Sequence, residues 1–499
     1  MIVTSAELDS PGLRFTSAKG RWVLFATILG SGIAFLDGSV VNVALPSIGR
    51  DFHVGLADLQ WTVTSYTLTL SAFLLLGGSL GDRYGRRRIF VFGLVWFTVA
   101  SMVCGAAPNA LVLVLARAVQ GVGSALLTPA SLAIIEATFR PKDRSPAIGA
   151  WAGFGGLFGA IGPLVGGLLV GALTWRLVFF INLPLAALAV WVALRHIPET
   201  RHTGVRGKLD VVGPVLAALG LGGVTFGLIE GPVTGWLSPG IVSSLTLGVV
   251  LLVLFFAYEQ RYPNPMLPLG FFRSRQFSGA NGATFVIYAA LGAVTFLVVI
   301  YLQQVLHYSP LGAGAALLPL TALLLTLSST TGRLASRIGP RLPMTFGPLI
   351  AAVGMALFIR ATPGTSYVTA VLPAAIVFGL GLVLTVPALT STALGAVSSN
   401  SAGIASAINN DVARVGALVA IALIPVLAGI NTGGNAVDVA ALSSGFRNGM
   451  LICAGLCALG GVVSFLTISN RWTPPTVQPA PLPTVLSRAP LPIDDGGES

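Results

Sequence analysis

Fourteen apolar stretches, most of them close to helix-spanning length and joined by short polar loops, run through this chain. A hydrocarbon layer about 30 Å thick is crossed by about 20 residues of α-helix. Within that layer every backbone donor and acceptor must find an internal partner, which leaves helices and closed barrels as the spanning structures. Runs of that length read as spanning helices, so the chain reads as an all-α membrane protein of fourteen transmembrane helices.

Composition agrees. Hydrophobic residues make up 54% of the chain and charged residues 9%, against about 25% charged in soluble domains. The 61 glycines suit close helix packing in lipid, where small residues let backbones approach. The formal net charge of +11 would suggest nucleic acid as a partner if the basic residues formed a patch. They sit instead in alternate loops: with the N-terminus inside, 22 fall on the inner side and Arg50, Arg176, Arg360 and Arg447 on the outer, while Arg117 and Arg414 fall within helices. The positive-inside rule then places both termini in the cytoplasm of a multi-pass inner, or plasma, membrane protein. The lipid bilayer is thus a partner and nucleic acid is not.

Residues 1–21 read as a cytoplasmic N-terminus, and the first apolar run, from about Trp22, is long enough to remain as a helix rather than act as a cleaved signal. Cys104, Cys453 and Cys457 all lie in apolar runs and read as small buried hydrophobes. No nucleotide-binding loop is present, and His53, His196, His202 and His307 lack metal-ligand spacing. The chain is expected to be no enzyme and to use neither metal nor cofactor.

An internal repeat divides the sequence. Gly78-Ser-Leu-Gly-Asp-Arg-Tyr-Gly-Arg-Arg87 returns as Gly332-Arg-Leu-Ala-Ser-Arg-Ile-Gly-Pro-Arg341, an offset of 254. Gln120-Gly-Val-Gly-Ser-Ala-Leu-Leu-Thr-Pro-Ala130 returns as Phe378-Gly-Leu-Gly-Leu-Val-Leu-Thr-Val-Pro-Ala388, an offset of 258. These echoes define two six-helix bundles, residues 22–195 and 281–469, with a linker at 196–280 that carries two extra helices. Parallel halves of this kind are a transporter architecture with substrate held between them. Residues 470–499, rich in proline, read as a disordered cytoplasmic tail.

Several motifs are more specific. Leu36-Asp-Gly-Ser-Val-Val-Asn-Val-Ala-Leu-Pro46, the 78–87 loop, Arg117-Ala-Val-Gln-Gly-Val-Gly123 with Pro129, Gly159-Ala-Ile-Gly-Pro-Leu-Val-Gly-Gly167 and Trp175-Arg-Leu-Val-Phe-Phe-Ile-Asn-Leu-Pro184 occur in order along the first half. Together they resemble the major facilitator superfamily, specifically its fourteen-helix drug/proton antiporter branch. The likeness extends to about residue 469 and departs in the 159–167 motif, where Phe158 stands in place of a glycine. It implies a major facilitator fold, no cofactor beyond a proton gradient, and a monomer that exports small amphiphilic compounds, drugs or toxic metabolites, in exchange for protons by alternating access.

Individual residues take provisional roles on this basis. Asp37 falls midway along the first helix, where a carboxylate is costly unless it faces a cavity or is bonded. It reads as a proton carrier facing a water-reachable cleft between the halves, the alternative being a packing device bonded to neighbouring backbone. Asn42, on another face, reads as a packing amide. Arg117 must find acceptors inside the bundle, and the resemblance implies that it influences the proton site. For Asp82, Arg83, Arg86 and Arg87 the resemblance implies a gate that joins the halves when the protein opens outward; the second half has Ser336 in place of Asp82. Gly159, Gly162, Pro163, Gly166 and Gly167 would let the fifth helix kink and pack closely. Phe35, Trp61, Tyr66, Gln120, Tyr288, Phe285 and Phe296 are candidates for an apolar substrate cavity. Asp411 and Arg414, three apart on one helix, are expected to pair.

Rival readings are export of an endogenous metabolite or lipid, proton symport on the same fold, and a non-transporting membrane scaffold.

Overall fold

A computed structural model describes residues 12–201, 209–398, 401–434 and 436–470 of the chain. Apart from Asn470, the proline-rich tail lies outside the described residues. Among the described residues fourteen helices are long and apolar enough to cross a membrane. In chain order they are α1 (Ala18–Phe52), α2 (Leu56–Tyr84), α3 (Arg86–Gly105), α4 (Ala110–Thr138), α5 (Pro141–Ala172), α6 (Leu177–His196) and α7 (Val212–Thr234). They continue as α8 (Pro239–Arg261), α9 (Arg275–Gln304), α10 (Pro310–Ile338), α11 (Arg341–Arg360), α12 (Tyr367–Gly395), α13 (Ala402–Leu427) and α14 (Val439–Thr467).

The starts and stops follow local chemistry. Ser17 accepts from Gly20 N at 3.1 Å to cap α1, Asn109 accepts from Val112 N at 2.9 Å to cap α4, and Asp438 accepts from Ala441 N at 2.9 Å to cap α14. Pro141, Pro239 and Pro310 open α5, α8 and α10, where the missing N–H would have had no intrahelical partner. Gly85 (φ 110°) turns the chain between α2 and α3, and Gly339 (φ 86°) does so between α10 and α11. A side chain is disfavoured at that backbone angle, which explains why this glycine recurs in both copies of the repeat.

Packing repeats as well. A Cβ on Gly123 of α4 would lie 2.7 Å from Phe97 N of α3, and one on Gly381 of α12 would lie 2.3 Å from Ala351 N of α11. Gly93 of α3 and Gly347 of α11 likewise abut α4 and α12. The same small-residue contacts therefore join the equivalent helix pair in each half, as membrane helices pack when lipid gives them no hydrophobic drive to associate.

The two halves meet at the end of the bundle opposite the arginine-rich loops. There Gln60 of α2 donates to Ile421 O of α13 at 2.6 Å, Gln303 of α9 donates to Val43 O of α1 at 3.0 Å, and Ala57 N donates to Thr432 O at 3.1 Å. Gly314 of α10 sits against the Pro163 carbonyl of α5, and Gly167 against Leu311. At the arginine-rich end the ion pairs among the described residues lie in the first half and the start of the linker: Arg86 with Asp82 at 2.7 Å, Arg87 and Arg88 with Glu199 of the linker at 3.7 and 3.8 Å, and Arg140 with Asp143 at 2.7 Å. The α7–α8 hairpin lies against α2 and α13, with Ala57, Ile229 and Ala422 packed together.

Candidate functional site

Helix α1 is central, packing on α4, α5 and α6 of its own half and on α9 of the other. Its residues alternate sharply in environment near the middle. Gly38 is exposed and would leave a Cβ with open space around it. Asp37, one position earlier and about 100° around the helix, turns into the first half and is wholly buried. The expectation that its carboxyl faces the cleft is corrected for this conformation. The reason lies in its neighbours: α4 and α6 bring it three donors, enough to be better bonded inside than hydrated outside.

Arg117 Nη1 of α4 donates to Asp37 Oδ2 at 2.5 Å. Asp37 Oδ1 accepts from Gln120 Nε2 at 2.9 Å and from Asn182 Nδ2 at 3.1 Å. Arg117 also donates to Gln120 Oε1 at 2.7 Å and, through Nε, to Thr62 O of α2 at 3.2 Å. Its guanidinium lies over the Tyr66 ring, 4.2 Å from the centroid, and the Tyr66 hydroxyl donates to Ser124 Oγ at 2.9 Å. Asn182 donates further to Ser101 Oγ at 2.9 Å, and Ser101 to Phe179 O at 2.9 Å. Desolvating two charges is unfavourable by several kcal/mol per ion, and attraction offsets this when geometry is good and the remaining lone pairs are bonded. Here both conditions hold.

The network reassigns two residues. Tyr66 and Gln120, expected in a substrate cavity, are buried beside Asp37 and Arg117, because Gln120 bonds both charged groups and the Tyr66 ring faces the Arg117 guanidinium. Asn182 and Ser101 take part although neither drew a role from the sequence. The signal for Asn182 was present: an amide within an apolar helix, inside the 175–184 motif.

The other expectations have mixed outcomes. Trp61 Nε1 donates to Glu230 Oε1 at 2.8 Å and its ring meets Phe226, which puts it at the α2–α7 junction. Phe296 is buried core, whereas Phe285 is partly exposed. Phe35 is half-buried, with Trp151 6.5 Å away between ring centroids and Gly155 beside it. Tyr288 is half-buried on α9.

Asp411 and Arg414 do not form the expected ion pair, being absent from those found among the described residues. Asp411 instead lines a cavity beside Ser71, Ala72 and Leu75 of α2, so sharing a helix side was not enough to bring the two groups together.

In the arginine-rich loop, Arg86 spans from Asp82 to Ala133 O at 3.0 Å, and Arg87 donates to Ile197 O at 3.1 Å. Arg83 lies 5.9 Å from the centroid of the Tyr84 ring. Asp82 thus pairs with Arg86 inside its own half in this conformation. Glu199, which carried no expected role, is the acid facing Arg87 and Arg88.

On α5, a Cβ on Gly162 would lie 1.9 Å from Ser39 Oγ and one on Gly166 would lie 2.7 Å from Val40 Cγ2, so α1 and α5 touch through these glycines. Gly159 has nothing nearer than Phe35 O at 4.0 Å.

Two repeated six-helix halves, sealed together at one end and enclosing a shielded charge pair in the first of them, define a multi-pass membrane transporter. The chain belongs to the Major Facilitator Superfamily, whose family model matches residues 27–422. It is similar to the puromycin resistance protein of Streptomyces alboniger, at 35% identity over 94% of this chain and 95% of that protein. It is also similar to the tetracenomycin C resistance and export protein of Streptomyces glaucescens, at 33% identity over 84% of this chain and 79% of that one. Among solved structures, a bacterial homologue of the human lysosomal transporter Spinster shares the fold with a TM-score of 0.64, at 19% identity over 92% of this chain and 100% of that chain. As in this family, the substrate is a small molecule and the chain is a transporter rather than an enzyme.

Proposed function

We propose that this chain is a proton-driven exporter of small amphiphilic compounds, drugs or toxic metabolites, working by alternating access. The observation that carries the coupling is the Asp37–Arg117 pair: a carboxylate held deep in the bundle by one cation, one residue from the exposed Gly38. Relatives named for antibiotic resistance and export support the direction and the kind of cargo.

In this scheme the paired state is the deprotonated one. A proton arriving on Asp37 removes its charge and frees Arg117 to seek other acceptors, among them Gln120 Oε1 and Thr62 O, which it already touches. That rearrangement on α4 and α2 would favour the conformation in which the arginine-rich ends close and Asp82, Arg83, Arg86 and Arg87 join the halves. Substrate binding at the cleft, with Phe35 and Tyr288 in its wall, favours proton release and return.

One proton moving through 100 mV supplies about 2.3 kcal/mol, which sustains roughly a fiftyfold gradient of a neutral substrate. In this reading the chain is a monomer in the plasma membrane, its termini and arginine-rich loops cytoplasmic, and its halves span 22–195 and 281–469.

The test is substrate efflux from proteoliposomes under an imposed pH gradient. Wild type should accumulate substrate against its gradient and move protons the opposite way, and Asp37→Asn should still exchange substrate downhill but lose the pH response. Proton movement in the same direction as substrate would make the chain a symporter and overturn the proposal.

A further inference from the structure

Helix α8 packs extensively on α7 alone. Toward the arginine-rich end it stands off from the rest of the bundle and leaves a cavity of about 290 Å³. The outer wall is made by Leu252, Phe255 and Phe256 of α8, and the inner wall by Leu75 of α2, Phe285 of α9 and Val412 of α13. The lining is mostly apolar. Of its two acids, Glu259 is 2% exposed and accepts from Leu267 N at 3.0 Å, which ties the segment after α8 back to the helix end, and Asp411 keeps Oδ1 buried.

The cavity opens sideways. Phe256 is 49% exposed and Phe285 is 38% exposed, so the mouth lies between α8 and α9 on the lipid-facing perimeter. Its depth can be read along the helices. Glu259 stands two positions from the end of α8 and Phe285 ten from the start of α9, which at 1.5 Å per residue is about 3 and about 15 Å along the axes. One leaflet of a bilayer core is about 15 Å deep, so the cavity spans a single leaflet. Water is held only where polar partners are at hand, and an empty apolar cavity forfeits dispersion contacts. Hydrocarbon is the occupant that suits it.

The shallow end carries positive charge. Arg261 closes α8, and Arg273 follows directly on the lining residue Phe272; both are exposed. Basic side chains at the ends of spanning helices attract anionic head groups.

We propose that this cavity holds one acyl chain of an anionic phospholipid from the leaflet at the arginine-rich end, with the lipid phosphate on Arg261 and Arg273. Because the inner wall belongs to α2 of one half and to α9 and α13 of the other, the bound chain touches both halves and the hairpin at once. The lipid is a resident ligand rather than cargo, so its binding stands whether or not the chain moves protons.

The test is native mass spectrometry of the full-length protein, purified in detergent and titrated with dioleoylphosphatidylglycerol or dioleoylphosphatidylcholine, alongside thermal melts. Wild type should take up one phosphatidylglycerol saturably and in preference to phosphatidylcholine, with a melting temperature that rises with its concentration.

The double change Arg261→Gln with Arg273→Gln lies at exposed positions and should keep the fold. At about fivefold per arginine it should weaken phosphatidylglycerol roughly thirtyfold and leave phosphatidylcholine unchanged. Ala217→Phe, which fills the cavity from α7 without changing charge, should weaken both lipids alike. Leu115→Phe, on the exposed side of α4 and away from the cavity, should change neither. Equal binding of the two lipids to wild type, phosphatidylglycerol affinity unmoved by the double arginine change, or an effect of Leu115→Phe as large as that of Ala217→Phe would each overturn the proposal, the last by marking the lipid as ordinary annulus.

Discussion

Asn182 of α6 donates to Asp37 of α1 at 3.1 Å, across 145 positions of sequence, and so ties the end of the first half to its beginning around a single carboxylate. That amide, with Gln120 and Arg117, turns an isolated acid into the centre of a four-residue network. The distinction between a structural and a coupling role for Asp37 can be drawn by experiments that separate stability from transport.

Removing one member of a buried ion pair strands the other, at a cost of about 3–5 kcal/mol. Asp37→Asn is expected to fall toward the low end of that range, since its amide can still bond to Gln120 and Asn182. The double change Asp37→Asn with Arg117→Met should recover much of the lost thermal stability while leaving pH-driven transport absent. Recovery of both together would show that the pair is structural only.

Asn182→Leu deletes bonds to Asp37 and to Ser101 and should lower stability by about 1–3 kcal/mol. Asn182→Asp places a second carboxylate beside the first and should be worse than leucine, most clearly at high pH. Thermal melts of detergent-solubilised protein at two pH values measure both effects.

Gly162 and Gly159 offer a paired steric test three positions apart on α5. Gly162→Val pushes atoms into Ser39 and should part α1 from α5, with loss of transport and a lower melting temperature. Gly159→Ala has open space before it and should be close to neutral. If Ser39→Ala partly restores Gly162→Ala, the effect is overlap rather than helix bending.

Gln60→Leu removes two bonds to main-chain oxygens of α13 at the sealed end, Ile421 O at 2.6 Å and Ala422 O at 3.3 Å. A net contribution of about 1 kcal/mol per bond means the balance should move roughly tenfold or more toward opening at that end. Distances between spin labels placed on α2 and α13 near the seal would lengthen, and an unchanged distribution would count against the seal.

Much of the architecture was legible because lipid imposes it. Span length, loop charge and the 254-residue echo are read directly from residues, and Gly85 and Gly339 show why the echo must keep its glycines. The site was legible in its members and not in its geometry. Asp37, Arg117 and Gln120 stand out as polar groups in apolar helices, but which way Asp37 points depends on donors from α4 and α6 that sequence distance hides. Asp411 and Arg414 fail for the converse reason: spacing along one helix says that two side chains can meet, whereas neighbouring helices decide whether they do.

Gln60 and Gln303 grip carbonyl oxygens of the facing half rather than side chains. Every amino acid offers that same oxygen, so the recognised surface stays constant while the residues bearing it drift. Two pumps with very different cargo walls could therefore keep one and the same clasp, leaving the ligand-facing residues free to change without re-engineering the hinge movement.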